Sequence, residues 1–152
     1  IKVFNCYISS VLLYNSETWT LTKSMEKAID SFHRRLLRSA CLNVRWPRVI
    51  KNEEVYQTTK LARWSQIIAK RQLSWLGHLF RLPDDTPAKI SLRYAQIPTK
   101  KPRGRQRTTW LTMMNEKLNS YGMEWKRASR LAQDRLSWKN FIRQVLPDVI
   151  VA

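Results

Sequence analysis

A short basic segment between residues 100 and 107 carries the clearest chemical signal in this sequence. Five of its eight residues are positively charged and none is acidic. A block of like charges repels itself and binds polyanions, and each Lys or Arg placed against a phosphate releases a condensed counterion. We therefore predict a nucleic-acid-binding segment rather than a passive linker. Its basic residues are Lys100, Lys101, Arg103, Arg105 and Arg107.

Asp84 and Asp85 are two neighbouring carboxylates that could support metal-dependent catalysis. Such a pair can hold two catalytic metal ions when it sits on a turn between strands. Here the pair lies between Pro83 and Pro87, a context typical of a turn between helices. We predict that both aspartates are turn or cap residues, and that this chain has no catalytic residue and no metal ligand or cofactor of its own.

Histidines and cysteines are the remaining candidate metal ligands or nucleophiles. His33, His78, Cys6 and Cys41 are far apart in the sequence, and no pair has the spacing of a zinc site. Both thiols are expected to be reduced, because a core of this size needs no disulfide. His78 follows Gly77, which would allow a backbone or a nucleic acid to approach closely. We favour a packed histidine on a helix surface, satisfied by a hydrogen bond.

The composition favours one helical domain that binds nucleic acid. The 152 residues include 28 Lys and Arg against 11 Asp and Glu, which gives a net charge of +17. Hydrophobic residues make up 43 % of the chain and include seven tryptophans, enough for a core. The longest apolar run is too short to span a bilayer, and no signal peptide is expected. Because the first residue is Ile, we expect a fragment of a longer protein.

Apolar residues recur at helical spacing along most of the chain, so we predict an all-α fold. Pro83, Gly122 and Pro147 are expected to end helices, whereas Asn52 and Thr108 or Thr109 are expected to cap them. A shorter helix restarts at Thr86-Pro87. The other predicted helices cover about residues 1–15, with Val3, Phe4, Tyr7, Val11 and Tyr14 on one side, and about residues 22–42, 59–82, 110–120, 123–132 and 134–146.

The predicted helix over residues 22–42 has two faces of different chemistry. Its core face is predicted to comprise Met25, Ala28, Ile29, Phe32, Leu36 and Ala40. Four cations fall roughly on the opposite side, namely Lys23, Lys27, Arg34 and Arg38. A charged helix face is often merely solvated, but none of these four cations has an acid four residues after it. Nucleic-acid contact and simple solvation therefore both stay open, and we include the four cations in the predicted binding set.

The predicted helix over residues 59–82 has an apolar stripe, and Arg63, Lys70 and Arg81 line up behind it. The stripe comprises Leu61, Trp64, Ile68, Trp75, Leu76, Leu79 and Leu82. Tryptophans can stack on unpaired bases, although their helical spacing here favours core packing for any one of them. Trp46 lies between two arginines and before Pro47, so it is predicted to be exposed.

Five segments of the sequence stand out as motifs, namely residues 11–22 (VLLYNSETWTLT), 32–38 (FHRRLLR), 75–83 (WLGHLFRLP), 103–110 (RGRQRTTW) and 132–138 (AQDRLSW). In this order they resemble motifs of non-LTR retrotransposon reverse transcriptases of the endonuclease–reverse transcriptase type. The first is similar to the family's LLYGSETWTLT stretch just after the palm, and the second to its FHxRxLR helix. The third is similar to WLGHVxRMP, the fourth to RGRPxxxW, and the fifth to AxDRxxW near the family's C-terminus. Asn15 stands where the family has Gly, which predicts a turn with a left-handed residue, and Gln106 stands where it has Pro.

The resemblance implies the thumb and C-terminal region of an RNA-directed DNA polymerase. The fingers, palm, catalytic aspartates and Mg²⁺ would lie upstream, so this fragment is expected not to be an enzyme. We expect it to hold template RNA and primed target DNA by phosphate contacts during target-primed reverse transcription, next to the upstream polymerase domain and away from membranes. The alternative is a domesticated basic helical module that binds nucleic acid or protein without polymerase function.

The predicted organisation has four parts. Thumb-like helices occupy residues 1–50 and a helical connector occupies residues 51–97. A basic linker over residues 98–109 joins them to a C-terminal helical module over residues 110–152. Lys100-Lys101-Pro102-Arg103 fits a basic nuclear-import pattern, so the expected location is the nucleus, with a cytoplasmic ribonucleoprotein stage.

Overall fold

Helices make up the regular structure of the described residues, and no strand occurs among them, which confirms the predicted all-α fold. The computed structural model describes residues 2–97, 104 and 107–147. Helix α1 is a π-helical segment, Phe4–Ser9, that continues as Ser10–Leu12, and α2 is Lys23–Leu36 with a π-helical extension, Leu37–Cys41. The other helices are α3 (Asn52–Thr59), α4 (Trp64–Arg81), α5 (Pro87–Gln96), α6 (Trp110–Ser120), α7 (Trp125–Leu131) and α8 (Arg135–Val145), and a 3₁₀ turn covers Ser16–Thr18.

The predicted core face of α2 is correct only for Ile29 and Leu36, because the helix is turned so that Asp30, His33 and Leu37 face inward. Asp30, His33 and Leu37 are buried, whereas Met25 and Phe32 are 48 % and 42 % exposed. The predicted stripe lies on the flank of the true interface, where Ala28 and Ala40 are also exposed and Ile29 and Leu36 are half-buried. Hydropathy misplaced the face because the buried groups that contact α4 include a carboxylate and an imidazole.

The predicted long helix begins at Trp64 rather than near Thr59. Lys60 has a left-handed φ of 53° that ends α3. Thr59 therefore belongs to the preceding helix, and a short loop separates it from α4. The buried Asp30 carboxylate then accepts hydrogen bonds from the Ser65 amide and hydroxyl, at 3.0 Å and 2.7 Å, which satisfies a free donor in the first turn of α4. A cap supplied by a distant helix leaves no local signal in the sequence.

Asn52 does not cap α3 as predicted. Lys51 precedes the helix, and the Asn52 Oδ1 instead accepts a hydrogen bond of 2.7 Å from the Arg38 guanidinium. Other predicted boundaries agree with the structure. Thr109 caps α6 by accepting from the Thr112 amide, and Gly122 follows the helix with a φ of 69°. Asn15 has the predicted left-handed conformation, with a φ of 55°.

Helix α4 is the centre of the fold, and α2, α8 and the Ser16–Thr18 turn all pack against it. Its buried residues lie along its whole length, from Trp64 to Phe80. At Gly77 the Trp138 indole of α8 fills the space that a side chain would occupy, and the Trp138 Nε1 donates to the Leu73 carbonyl at 2.9 Å. Glycine therefore permits the close approach of α8 to α4.

Buried polar contacts join the N-terminal and C-terminal parts of the chain. The Lys117 ammonium lies 3.2 Å from the Glu26 carboxylate and donates to the Gln72 Oε1 at 3.0 Å. Gln72 in turn donates to the Trp19 carbonyl at 2.9 Å, and the Trp110 Nε1 donates to a main-chain oxygen of the 3₁₀ turn. The hydrophobic core also joins these parts, because one cluster contains residues from 1–50, 51–97 and 110–147. The four-part division of the chain stays a prediction.

Helix α1 forms as predicted, but most of its apolar side faces solvent. Phe4 is 4 % exposed and stacks on the Trp64 ring, with 6.2 Å between centroids. Four other apolar residues of this segment are 70–79 % exposed, namely Val3, Tyr7, Val11 and Tyr14. None of the helices in the described part of the chain is long and apolar enough to cross a membrane.

Candidate nucleic-acid interface

A basic groove lies between α4 and α8, and we refer to it as the α4–α8 groove. It encloses about 540 Å³. None of the described residues that line it is an aspartate or a glutamate. Its lining comprises Lys70, Ser74, His78 and Arg81 of α4 and Arg135, Trp138, Lys139, Ile142 and Arg143 of α8.

Helical spacing explains why the cations of each basic row share one face of their own helix. On α8, Arg135, Lys139 and Arg143 follow one another at intervals of four residues, so they share one face. The cations of α4 also share one face of their helix. Lys70 and Arg81 are about three turns apart, and Gly77 lies on the same face. Trp138 fixes the distance between the helices by packing on that glycine.

Arg81 and Arg135 concentrate positive charge at one end of the groove. The Arg81 guanidinium donates to the Ala132 carbonyl at 2.8 Å, which holds it at the rim. Partial burial lowers the Arg81 pKa from its ordinary value, and the positive charge of Arg135 lowers it further. Two guanidiniums that repel each other across a concave surface form a favourable site for an anion such as a phosphate.

A larger, aromatic cavity adjoins the groove and shares Lys70, Ser74 and His78 with it. We refer to it as the aromatic cavity, and it encloses about 910 Å³. The half-buried Trp75 ring lines it, with the His78 ring 5.2 Å away between centroids. Other lining residues come from the end of α1 and the turn after it, from α4 and from the end of α8, including Tyr14, Asn15, Glu17, Gln66, Arg71 and Leu146.

The four predicted cations of α2 have unequal roles. Lys23 and Lys27 are exposed, as a binding surface requires. Arg34 is half-buried, and its positive charge opposes the rise in the Tyr56 pKa that burial causes. Arg38 donates to the Ile50 carbonyl at 3.1 Å as well as to Asn52, so it ties α2 to the segment before α3. Nucleic-acid contact by this face stays a prediction. Of its four cations, Lys23 and Lys27 are the more exposed.

Four of the five predicted cations in the basic segment, Lys100, Lys101, Arg103 and Arg105, lie outside the described residues. Arg107 is described; it is exposed and lies shortly before α6. Binding by this segment stays a prediction.

The residues considered for catalysis or metal binding do not converge in the described part of the chain. Asp84 and Asp85 are exposed in the turn between α4 and α5, as predicted for turn residues, and Asp84 lies 3.9 Å from the Arg93 guanidinium. Within the ranges 2–97 and 107–147, no three His, Cys, Asp or Glu residues form a group that could hold a metal ion.

The tryptophans divide between core and surface. Trp64 and Trp138 are each 3 % exposed, whereas Trp46 is 91 % exposed, as predicted for this residue. Trp75, assigned to an apolar stripe by its spacing, is half-buried, packs against the core and also lines the aromatic cavity.

Sequence reasoning missed the basic row of α8 as a binding surface. Its signal was present, because three cations recur at intervals of four residues in a segment with no acid after Asp134 until the helix ends. What the sequence could not provide was the partner row, since α4 and α8 meet only in the folded chain.

The chain is similar to a curated uncharacterized transposon-derived protein of Caenorhabditis elegans. The two sequences are 22 % identical over 153 residues, which cover 95 % of this chain and 54 % of the relative. The chain thus spans about half the length of that protein. No family model and no solved structure matches the chain.

Proposed function

We propose that the chain is the nucleic-acid-binding part of a transposable-element protein and holds RNA and DNA by their phosphates. The observation that carries this proposal is the α4–α8 groove, where cations of two helices line a concave surface that has no carboxylate among its described residues. The net charge of +17 adds long-range attraction to polyanions. Contacts of this kind position a nucleic acid but do not read its sequence.

The finer part of the proposal rests on the resemblance to non-LTR reverse transcriptases and on the similarity to a transposon-derived protein. In this reading the chain is the thumb and C-terminal part of a polymerase that copies RNA onto a primed DNA target in the nucleus. It would position template and primer for an upstream polymerase domain that supplies the catalytic aspartates and Mg²⁺. This chain would have no active site or cofactor of its own.

Removing two groove cations tests the proposal. We expect Arg135→Gln with Lys139→Gln to weaken binding to RNA and duplex DNA roughly tenfold to a hundredfold at about 50 mM salt, because two phosphate contacts are lost. For duplex DNA, the slope of log K against log salt should become shallower by about 2. Fluorescence anisotropy titrations across a salt series measure both quantities.

A matched control removes the same charge from another helix. Lys126 and Arg130 of α7 are also exposed and four residues apart, but they do not line the groove. Lys126→Gln with Arg130→Gln should change affinity by less than about threefold, through net charge alone. Equal losses in the two double variants would show that the groove has no special role, and an unchanged affinity in the groove variant would contradict the proposal.

A second candidate function, a protein-interaction module, is favoured by the exposed apolar side of α1. Val3, Tyr7, Val11 and Tyr14 present large apolar groups to solvent, which is typical of a surface that another protein covers. The upstream polymerase domain is the partner that the resemblance implies. Association through this side of α1 would persist in high salt, whereas phosphate binding would not.

A further inference from the structure

We infer that the aromatic cavity receives an unpaired base of a single-stranded nucleic acid whose phosphates lie in the α4–α8 groove. This inference rests on the proposed function and goes beyond it, because it assigns the chain a preference for unpaired strands. The ligand is defined by its chemistry: a flat, aromatic base with polar edges, attached to an anionic backbone.

The size and lining of the cavity suit such a ligand. Its volume of about 910 Å³ falls within the range of about 300–1,000 Å³ that is usual for small-ligand sites. Trp75 and Tyr14 supply aromatic rings for stacking, an interaction that every base can make. Asn15, Glu17 and Gln66 add donors and acceptors of the kind that bind the polar edges of bases.

The aromatic cavity and the α4–α8 groove adjoin each other along α4. Ser74 and His78 line both of them, while Trp75 lies between these residues in sequence and faces the aromatic cavity. A strand whose phosphates contact Arg135 and Lys139 would therefore present a base to Trp75. A base within a duplex is stacked and paired, so it cannot enter without leaving the helix at an energetic cost.

The test compares oligonucleotides that carry the same phosphates with and without bases. The probes are single-stranded RNA and DNA of about 12 nucleotides, an abasic deoxyribose-phosphate strand of the same length, and the corresponding duplex DNA. We expect the wild-type chain to bind the single-stranded DNA about tenfold more tightly than the abasic strand. Tyr14→Ala and Trp75→Leu should each reduce this ratio severalfold and leave duplex binding within about twofold of the wild type.

Tyr14 provides the safer variant, because its side chain is 79 % exposed whereas Trp75 also packs against the core. The matched control is Tyr94→Ala on α5, which removes a tyrosine that is 69 % exposed and does not line the cavity. It should leave the ratio unchanged. Comparing the RNA and DNA strands shows whether the site also discriminates the 2′-hydroxyl.

The outcomes separate this inference from the proposed function. Equal binding of normal and abasic strands, or equal effects of Tyr14→Ala and Tyr94→Ala, would overturn the base site while phosphate binding in the groove stands. Failure of every probe to bind at low salt would overturn the proposed function, and the base site with it.

Discussion

Replacing Gly77 with alanine is expected to lower the free energy of unfolding by about 3 kcal/mol, although alanine is the better helix former. A Cβ at this position would lie 2.1 Å from the Trp138 Nε1 and 2.4 Å from its Cδ1. The gain in helix propensity is only about 1 kcal/mol. The clash moves a buried indole and its hydrogen bond to the Leu73 carbonyl, so the destabilising effects prevail.

Urea unfolding measures this effect, with Ser74→Ala as the control one turn earlier on α4. Ser74 is exposed, so its replacement should change the free energy of unfolding by less than about 0.5 kcal/mol. In a Trp138→Leu background, the cost of Gly77→Ala should fall, because the clashing indole is gone. A Gly77→Ala variant as stable as the wild type would refute the close packing of α8 on α4.

Acidification is expected to destabilise the fold through His33, by about 3 kcal/mol over the window from pH 6.5 to pH 4. Burial lowers the pKa of His33 from 6.5 to about 4, opposed by the negative charge of Asp30 and assisted by the positive charge of Arg34. The ring stacks on the Trp64 ring, with 4.4 Å between centroids, and the Phe4 ring lies beside both, 5.9 Å from His33. Neither of its nitrogens has a hydrogen-bond partner among the described residues.

The direction follows from proton linkage. The unfolded chain binds a proton at His33 near pH 6.5, whereas the folded chain binds it only near pH 4. This contribution to stability is therefore complete above about pH 6.5 and is lost progressively as the pH falls to about 4, the folded-state pKa.

His33→Phe is the matched variant, since it keeps an aromatic ring in contact with Trp64 and Phe4 but does not titrate. Carboxylates titrate near pH 4 as well, so the informative quantity is the difference in unfolding free energy between wild type and variant at each pH. We expect this difference to shift by about 3 kcal/mol in favour of the variant between pH 6.5 and pH 4. A difference that does not change with pH would show that His33 is not buried in its neutral form.

Local sequence patterns predicted much of the fold. Periodic apolar residues located most helices, and Pro83, Gly122 and Asn15 marked turns correctly, because their conformational effects act within a few residues. The inward face of α2 was mispredicted because its buried groups include Asp30 and His33, whose burial depends on Ser65 and Trp64 of another helix. The start of α4 was missed for the same reason.

The candidate site was less accessible to prediction than the fold. Arg135 and Lys139 could be placed on one face of α8 from their spacing, but not opposite Arg81, because Gly77 and Trp138 determine that pairing. Close approach at Gly77 was considered for a backbone or a nucleic acid, whereas the group that approaches is the Trp138 side chain. Spacing likewise could not distinguish Trp75, which lines a cavity, from Trp138, which fills the core.

Protection of individual lysines from acylation by bound nucleic acid tests most directly whether the α4–α8 groove is the binding surface. The labelling of each lysine is read by mass spectrometry in the presence and absence of saturating single-stranded RNA at low salt. We expect Lys139 to be protected, and to lose that protection in high salt, while Lys126 of α7 is labelled equally in all conditions. Lys23, Lys27, Lys100 and Lys101 report on the other predicted surfaces in the same measurement. Unchanged labelling of Lys139 by bound RNA would contradict the assignment of the groove.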